Sequence, residues 1–167
     1  MSYSKGIISI PNVTGNIVIN VTTEEAEIRP IELYTGNAAN YLLNKKYSDM
    51  SIIDANGYYL TNPIAVDFST RPYLCISGAN TASGGTPKIY KIGFYNGDNI
   101  AMVCYTNNIQ TSGSGTQWSA NVGNISGYQN FTKVQFMFSI SPDVSLTEAN
   151  VLTAASMSIK ASPTALY

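Results

Sequence analysis

The fold of this chain is decided by residues 87–141, which read PKIYKIGFYNGDNIAMVCYTNNIQTSGSGTQWSANVGNISGYQNFTKVQFMFSIS. Apolar and polar residues alternate in Lys88–Tyr95 and again in Phe131–Ile140, which is the period of a half-buried strand. The residues predicted to face the core are Tyr90, Ile92, Phe94, Val134, Phe136, Phe138 and Ile140, and those predicted to face away are Lys91, Gly93, Lys133, Gln135 and Ser139. Both segments are therefore predicted to be strands of a sheet with one covered face.

A polar stretch, residues 106–130, lies between a further strand candidate at Ile100–Tyr105 and the strand at Phe131–Ile140. It consists mostly of Asn, Ser, Gly, Thr and Gln, and it contains the only tryptophan of the chain, Trp118. Loops without regular structure that exceed about 12–15 residues are uncommon in compact domains, and they are usually functional or disordered. We therefore expect this stretch to be a long recognition loop.

Short strand candidates recur on both sides of this region, and turn residues separate them. The other candidates are Tyr41–Leu43, Met50–Ile53, Tyr58–Leu60, Ile64–Val66, Tyr73–Ser77 and Met157–Ala161, and the turns are Asn56-Gly57, Arg71-Pro72, Ser83-Gly84-Gly85 and Asn96-Gly97-Asp98. Many short strands at this spacing predict an all-β fold, an antiparallel β-sandwich. Helix signals are weak, and the best is a capping-box spacing at Ser145–Glu148.

The first residues form a separate element in this interpretation. Lys5–Ile10 and Asn16–Val21 alternate around a Pro- and Gly-containing turn, which predicts a β-hairpin extension at residues 1–22. An acidic linker at 23–30 and a sandwich domain at 31–167 follow. Because a lone hairpin is marginal in water, we expect it to dock or donate a strand to a partner. The residues predicted to carry this assembly contact are Ile8, Ile10, Ile17 and Ile19.

Composition excludes several functions. The 167 residues carry 9 basic and 10 acidic side chains, so no basic stripe is available for nucleic acid. Histidine is absent, the carboxylates lie in the linker, at turns and at strand ends without an evident pair, and no nucleophile or dinucleotide motif occurs, so we expect no catalysis. No apolar run approaches the roughly 18 residues of a membrane span, and residues 1–6 lack the features of a signal peptide.

Neither metal nor cofactor is expected. Cys75 and Cys104 lie in strand-like segments, where free thiols act as small apolar residues, and sequence alone leaves a disulfide between them open. No cluster of Cys and His offers a zinc site. Asp54–Gly57 and Asn96–Asn99 have oxygen ligands but too few carboxylates for a calcium loop, so both are interpreted as turns.

The polar stretch offers a candidate ligand site. The aromatic rings of Trp118, Tyr128 and Tyr105 supply flat faces for sugar rings, and neighbouring amides supply donors and acceptors for hydroxyl groups. The candidate amides are Asn107, Asn108, Gln110, Gln117, Asn121 and Asn124. The alternative is that Trp118 and Tyr128 fold back to cover the end of the sandwich, and tryptophan is highly buried on average.

Four segments together resemble a β-sandwich module that is common in phage tail and baseplate proteins and in bacterial surface proteins. They are Pro63–Val66, Tyr73–Gly78, Lys91–Gly97 and Val134–Ser139, and the likeness covers roughly residues 31–159. The fold of these modules is similar to galactose-binding-like and other carbohydrate-binding jelly rolls. Residues 6–19 are similar to the last hairpin of small Ig-like modules that precede such domains in phage structural proteins.

The resemblance implies a noncatalytic structural protein at the virion surface, as a capsid decoration or a tail-associated protein. Its hairpin would bind other virion proteins, and residues 106–130 would adhere to cell-surface glycan. A carbohydrate-binding module from a larger bacterial surface protein or enzyme is the alternative. A homo-oligomer, such as a trimer, is a third interpretation of the low charge. Neither a nucleic acid nor a membrane is an expected partner.

Overall fold

The computed structural model describes residues 2–4, 7–9, 14–16, 27–34, 41–78, 88–140, 145–147 and 157–167. The strands in these ranges are β1 (Ser2–Ser4), β2 (Ile7–Ser9), β3 (Ile31–Glu32), β4 (Tyr41–Ser48), β5 (Ser51–Thr61), β6 (Ile64–Ala65), β7 (Tyr73–Ser77), β8 (Lys88–Asn96), β9 (Asn99–Tyr105), β10 (Gln110–Ser114), β11 (Gln117–Asn121), β12 (Lys133–Ser139) and β13 (Ser158–Ser162). Short 3-10 helices span Thr106–Asn108, Val122–Asn124 and Tyr128–Asn130. Within these ranges no helix is long and apolar enough to cross a membrane.

Two antiparallel sheets pack face to face, which confirms the predicted all-β sandwich. The five-stranded sheet has the order β10-β11-β7-β13-β3. The six-stranded sheet has the order β4-β5-β12-β8-β9, and the short β6 also pairs with β12. Every described strand pair is antiparallel. The sandwich begins at β3, which pairs with β13 near the other end of the described chain.

The main core lies between the two sheets and is built from alternate residues of the central strands. Its largest fully buried side chains are Trp118, Tyr59, Phe68, Phe94, Phe136, Phe138, Leu74, Ile76, Ile89 and Ile92. The inward positions of Val134, Phe136 and Phe138 are as predicted. The hairpin predicted at Asn96-Gly97-Asp98 is also present, since Asn96 pairs with Asn99 and Gly97 has a φ of 62°.

One predicted inward residue, Tyr90, lies on the opposite face of its strand. Phe138 pairs with Ile89 whereas Met137 pairs with Lys91, so a β-bulge at Tyr90 shifts the alternation by one residue. Ile89 takes the inward position instead, and Tyr90 packs in a smaller apolar cluster on the outer face of the six-stranded sheet. Alternation alone does not reveal such an insertion, because one extra residue reverses the faces of the residues on one side of it.

The hairpin of β4 and β5 carries a second irregularity. Asp54 and Tyr59 pair with Lys45 and Leu43, so residues 55–58 stand opposite Asn44 alone. Asn56-Gly57, predicted as a turn between two strands, is therefore a bulge inside one long strand, and Gly57 supplies its φ of 78°. The actual turn lies at residues 49–50.

The bulge folds the distal half of this hairpin, residues 45–54, across the outer face of the six-stranded sheet. The backbone N–H of Tyr47 lies 3.2 Å from the Met137 sulfur on β12, and Lys91 Nζ on β8 donates to the Tyr47 carbonyl at 3.3 Å. Tyr47 is consequently only 2% exposed. The distal half of the hairpin thus forms a partial third layer over β12 and β8.

A buried polar network fastens this layer. Gln135, predicted to face away from the core, does so but is fully buried beneath the hairpin. The hydroxyls of Tyr47 and Tyr95 both donate to its side-chain oxygen, and its nitrogen donates to the Thr61 carbonyl at 2.6 Å. Gly93 lies directly under the Tyr47 ring, where a β-carbon would overlap the hydroxyl. Such a network stabilises one arrangement because every buried group has a partner.

The outer face of the five-stranded sheet is covered by residues 163–167. The Ser119 hydroxyl on β11 accepts hydrogen bonds from the backbone N–H groups of Leu166 and Tyr167, at 3.3 and 3.2 Å. The Cys75 thiol on β7 lies 3.7 Å from the Thr164 carbonyl. These contacts explain why Ser119 and Cys75 are buried although they face away from the main core.

Several predictions for the chain ends concern residues that lie largely outside the described ranges. β1 and β2 pair with each other in antiparallel register, with Ser4 opposite Ile7, and the partner strand predicted at 16–21 is described only at Asn16. Ile8 belongs to β2, whereas Ile10, Ile17 and Ile19 lie outside the described residues. The turn predicted at 83–85 and Glu148 of the capping-box spacing lie outside the described residues as well.

Both cysteines are free and buried, so we expect thiol reagents to react slowly with the folded protein. Burial raises the pKa of Cys104 to about 11, which leaves on the order of one thiol in a thousand ionised at pH 8. Labelling with a chromogenic disulfide should be slow in buffer and rapid for two thiols in denaturant. Rapid native labelling at Cys104, located by mass spectrometry, would contradict the buried position.

Candidate functional site

The predicted loop at 106–130 is a folded part of the sandwich. β10 and β11 form an edge hairpin of the five-stranded sheet, and the three 3-10 helices occupy much of the remainder. Gly113 and Gly115 have φ values of 78° and 62°, so glycine permits the turn between the two strands. The prediction of a long loop was wrong because small polar residues can form an edge strand without an apolar alternation.

Trp118 is fully buried in the main core. It pairs across the ladder with Ile76 on β7 and with Gly113 on β10. A β-carbon at Gly113 would lie 2.7 Å from the Trp118 Cα, so the absence of a side chain there permits this close approach. Because Trp118 is buried, the prediction that it stacks on a sugar is wrong. The alternative, in which it packs against the sandwich, describes its position.

The other predicted site residues are distributed over both sheets. Tyr128 is half-buried against the main core, and Gln117 is exposed on β11. Asn107 is exposed on the 3-10 helix that follows β9. Tyr105, the last residue of β9, is 45% exposed on the six-stranded sheet. With Trp118 buried, the three predicted aromatic residues do not form one exposed platform.

Four of the predicted amides do meet, in a small depression that we call the amide pocket. It has a volume of about 120 Å³ and is lined by Asn108, Ile109, Gln110, Thr111, Asn121, Asn124 and Ile125. Two of these amides already bind the protein chain. Gln110 donates to the Gly113 carbonyl at 3.1 Å, and the Asn121 oxygen accepts from the Gly123 N–H at 2.9 Å. The amide pocket is therefore small, and two of its four amides already form hydrogen bonds with the backbone of neighbouring loops.

A larger and chemically richer depression lies under the folded tip of the β4–β5 hairpin. We call it the tyrosine–lysine pocket, and its volume is about 270 Å³. The hairpin contributes its roof and the outer face of the six-stranded sheet contributes its floor. It is lined by Lys46, Tyr47, Ser48, Asp49, Tyr58, Tyr90, Lys91, Tyr105 and Met137. Tyr105 is the one residue of this pocket that the sequence predicted to bind a ligand.

Three tyrosine rings form a continuous row along this pocket. The centroids of Tyr58 and Tyr90 are 6.3 Å apart, and those of Tyr90 and Tyr105 are 5.3 Å apart with an interplanar angle of 87°. Edge-to-face pairs of this kind hold each ring at a defined angle. Tyr58 and Tyr90 are half-buried and Tyr105 is exposed, so each of the three rings is in part accessible to an incoming molecule.

Lysine ammonium groups lie over the same rings. Lys46 Nζ is 5.6 Å from the centroid of Tyr58, and Lys91 Nζ is 4.8 Å from that of Tyr105. Lys88, just outside the lining, places its ammonium 5.4 Å from the centroid of Tyr90. Cation–π attraction at such distances favours these positions. The sequence pattern did not predict the tyrosine–lysine pocket. Alternation in Lys88–Tyr95 places Tyr90 inward, and only the β-bulge turns it outward.

The pocket's electrostatics are dominated by positive charge. Three of the nine basic residues of the chain converge here, and the lining contains a single carboxylate, that of Asp49. The ion pairs found among the described residues involve other cations, namely Arg29, Lys45 and Lys133. The pocket is therefore suited to a ligand that carries negative charge or many hydrogen-bond acceptors.

Three tyrosine hydroxyls form a separate polar group in the main core between the sheets. The hydroxyls of Tyr34, Tyr41 and Tyr59 are buried and have no hydrogen-bond partner within the described ranges. Burial raises the pKa of all three, so they stay protonated at neutral pH. Tyr34 and Tyr41 line a cavity of about 260 Å³, and residues 35–40, which connect the two tyrosines in the sequence, lie outside the described residues.

Several carboxylates in the described ranges have structural partners. Asp54 binds Lys45 at 2.5 Å and Asp98 binds Lys133 at 2.6 Å. These are the carboxylates of the two segments, Asp54–Gly57 and Asn96–Asn99, that were considered above as calcium loops. The hydrogen bond from Lys133 and its charge lower the pKa of Asp98. Asp67 accepts hydrogen bonds from Ser69 and Thr70, and these lower its pKa. Among the described residues no group of three potential metal ligands occurs.

Comparison of this chain with protein-family models, with curated proteins and with solved structures found no match. The resemblance to phage β-sandwich modules therefore stays a prediction, and the tyrosine–lysine pocket has to be interpreted from its own chemistry.

Proposed function

We propose that this protein is a noncatalytic glycan-binding β-sandwich of a phage-type particle, and that it binds sugar in the tyrosine–lysine pocket. The observation that carries the proposal is the row of Tyr58, Tyr90 and Tyr105 on the outer face of the six-stranded sheet. Binding sites for small molecules combine apolar and aromatic walls with a few well-placed polar groups. A sugar ring has an apolar face that fits an aromatic ring, and its hydroxyls fit the surrounding lysines, Ser48 and Asp49.

Preorganisation supports the same function. The roof of the pocket is fastened by the buried network of Tyr47, Gln135 and Tyr95 beneath the hairpin. Lys91 is held by its hydrogen bond to the Tyr47 carbonyl. A site whose groups are already in place loses less conformational entropy when a ligand binds. A weak sugar ligand benefits from this, because its individual contacts are small.

The noncatalytic part of the proposal is supported by the carboxylates of the lining. Glycoside hydrolysis generally uses two carboxyl groups that flank the scissile bond. The tyrosine–lysine pocket contains one, Asp49. The assignment to a particle surface rests on the resemblance of residues 31–159 to phage modules, and residues 1–22 are the proposed docking element.

Replacing Tyr105 with alanine should weaken glycan binding at least about tenfold without unfolding the protein. Tyr105 is 45% exposed at the end of β9, so its removal takes away a ligand-facing ring and little of the core. A glycan array identifies the ligand, and titration calorimetry measures the affinity of the wild type and the variant.

The matched control is Tyr167→Ala, which removes a half-exposed tyrosine at the five-stranded sheet. This variant should bind as the wild type does. An array on which the wild type binds no glycan would refute the proposed function. Equal affinity of Tyr105→Ala and the wild type would refute the assignment to this pocket.

A further inference from the structure

We propose that the tyrosine–lysine pocket selects sugars that carry a negative charge, in the form of a carboxylate or a sulfate group. This inference rests on the proposed function and names the class of glycan. It depends on where the positive charges of a nearly neutral protein lie. The chain has a net charge of −1, yet three of its nine basic residues surround this one depression.

The positions of these charges are defined by the structure around them. Lys91 Nζ lies over Tyr105 and also donates to the Tyr47 carbonyl at 3.3 Å. Lys46 Nζ lies over Tyr58 under the hairpin tip. Ammonium groups that face solvent freely sample many positions and gain little from an opposite charge. Groups held over aromatic rings at the wall of a pocket lose less entropy when they bind an anion.

Carboxylates of the described residues form no ion pair with these three lysines. Lys45 binds Asp54, Lys133 binds Asp98 and Arg29 binds Glu27, so several acidic groups of the described ranges are already paired elsewhere. At the pocket, Asp49 is the one lining carboxylate against Lys46 and Lys91, with Lys88 nearby. An anionic ligand would therefore neutralise positive charge of these lysines that Asp49 alone does not balance.

A sugar fits this pocket better than a nucleic acid strand. Single-stranded nucleic acids also stack on aromatic rings, but they need a positive groove that follows the phosphate backbone. Here Arg29, Lys45 and Lys133 are paired with carboxylates, so these cations are not free to extend a positive groove from the pocket. The depression has a volume of only about 270 Å³, which fits a short or terminal group better than a continuous strand.

The test compares ligands that share a backbone and differ in charge. Oligogalacturonate is compared with its methyl ester, and dextran sulfate with dextran, by calorimetry at about 0.05 M and about 0.5 M salt. At least one of the two charged polymers should bind more tightly than its neutral counterpart, by about tenfold or more. The higher salt concentration should weaken this binding. Carboxylate and sulfate sources are distinguished by which pair shows the difference.

Lys46→Gln and Lys91→Gln should each weaken binding of the charged form by about five- to tenfold, and should weaken any binding of the neutral form by a smaller factor. The matched control is Lys160→Gln, since Lys160 lies on β13 in the five-stranded sheet and its loss changes the net charge equally. Thermal unfolding of each variant shows whether the fold is intact. Two lysine variants are used because Lys91 also contacts the hairpin backbone.

Equal binding of the charged and neutral forms would overturn the charge selection and leave the proposed glycan function standing. Binding of neither pair, together with an empty glycan array, would refute both. Tighter binding of a thymidine oligonucleotide than of any sugar would also overturn the inference. Equal loss of affinity in Lys160→Gln would show that net charge, rather than this pocket, controls binding.

Discussion

Replacing Trp118 with alanine should lower the free energy of unfolding by about 3–5 kcal/mol. The side chain is 0% exposed and is the largest of the fully buried side chains, and it packs where β11 lies between β10 and β7. Its removal leaves a large cavity that the surrounding strands can fill only in part. Because domains are stable by only about 5–15 kcal/mol, the variant should be partly unfolded or close to it.

Urea unfolding followed by circular dichroism measures the effect. Tyr105→Ala is the matched control, since it truncates an aromatic residue that is 45% exposed, and it should cost less than about 1 kcal/mol. Trp118→Phe should retain a substantial part of the stability because it fills part of the cavity. A Trp118→Ala protein as stable as Tyr105→Ala would show that the indole lies outside the core.

Replacing Gly93 with alanine should lower the free energy of unfolding by about 1–3 kcal/mol, although it adds only a methyl group. The added β-carbon would overlap the hydroxyl and ring of Tyr47. The ring cannot move away freely, because its hydroxyl binds Gln135 and lies 3.2 Å from the hydroxyl of Tyr95. Relieving the overlap would break this buried network or lift the hairpin from the sheet.

A double-mutant cycle tests this explanation. In a Tyr47→Ala background the space above Gly93 is empty, so the further change Gly93→Ala should cost much less than it does in the wild type. The four proteins are compared by urea unfolding. Additive losses of stability would mean that the two residues do not interact, and that the hairpin does not lie over β8 as described.

The strands with strong local patterns could be predicted from the sequence. β7 spans Tyr73–Ser77 as predicted, and β8 and β9 are joined by the predicted turn at Gly97. In these segments the apolar residues are large and the turn residue has a φ that glycine favours. Local preference and final structure agree there, so the sequence pattern suffices.

Irregular and weakly apolar strands could not be predicted in this way. The bulge at Tyr90 depends on the register between β8 and β12, which are far apart in sequence. The bulge at residues 55–58 looks like a turn because Asn-Gly is common in both. β10 and β11 contain mostly small polar residues. They are recognised as strands of the sandwich only because β11 pairs with β7 and β10 pairs with β11.

The candidate site was predicted only in part, for a related physical reason. Tyr105 stands at an exposed strand end and was recognised as an aromatic candidate. Its partners Tyr58 and Tyr90 come from different strands, and Lys46 reaches the pocket only because the hairpin folds across the sheet. Trp118 also has a flat aromatic ring and was therefore a candidate too. Its burial follows from the pairing of β11 with β7, which the local sequence around it does not reveal.

The order of strands in the five-stranded sheet has a consequence for how the protein is made. β13 lies between β7 and β3, so the last strand of the sandwich occupies an interior position of that sheet. A nascent chain in which residues 158–162 are still inside the ribosome would have β7 and β3 separated by a gap, with the apolar side chains of Leu74 and Ile76 uncovered. This sheet can therefore close only after residue 162 has left the ribosome, and until then its exposed strand edges favour aggregation.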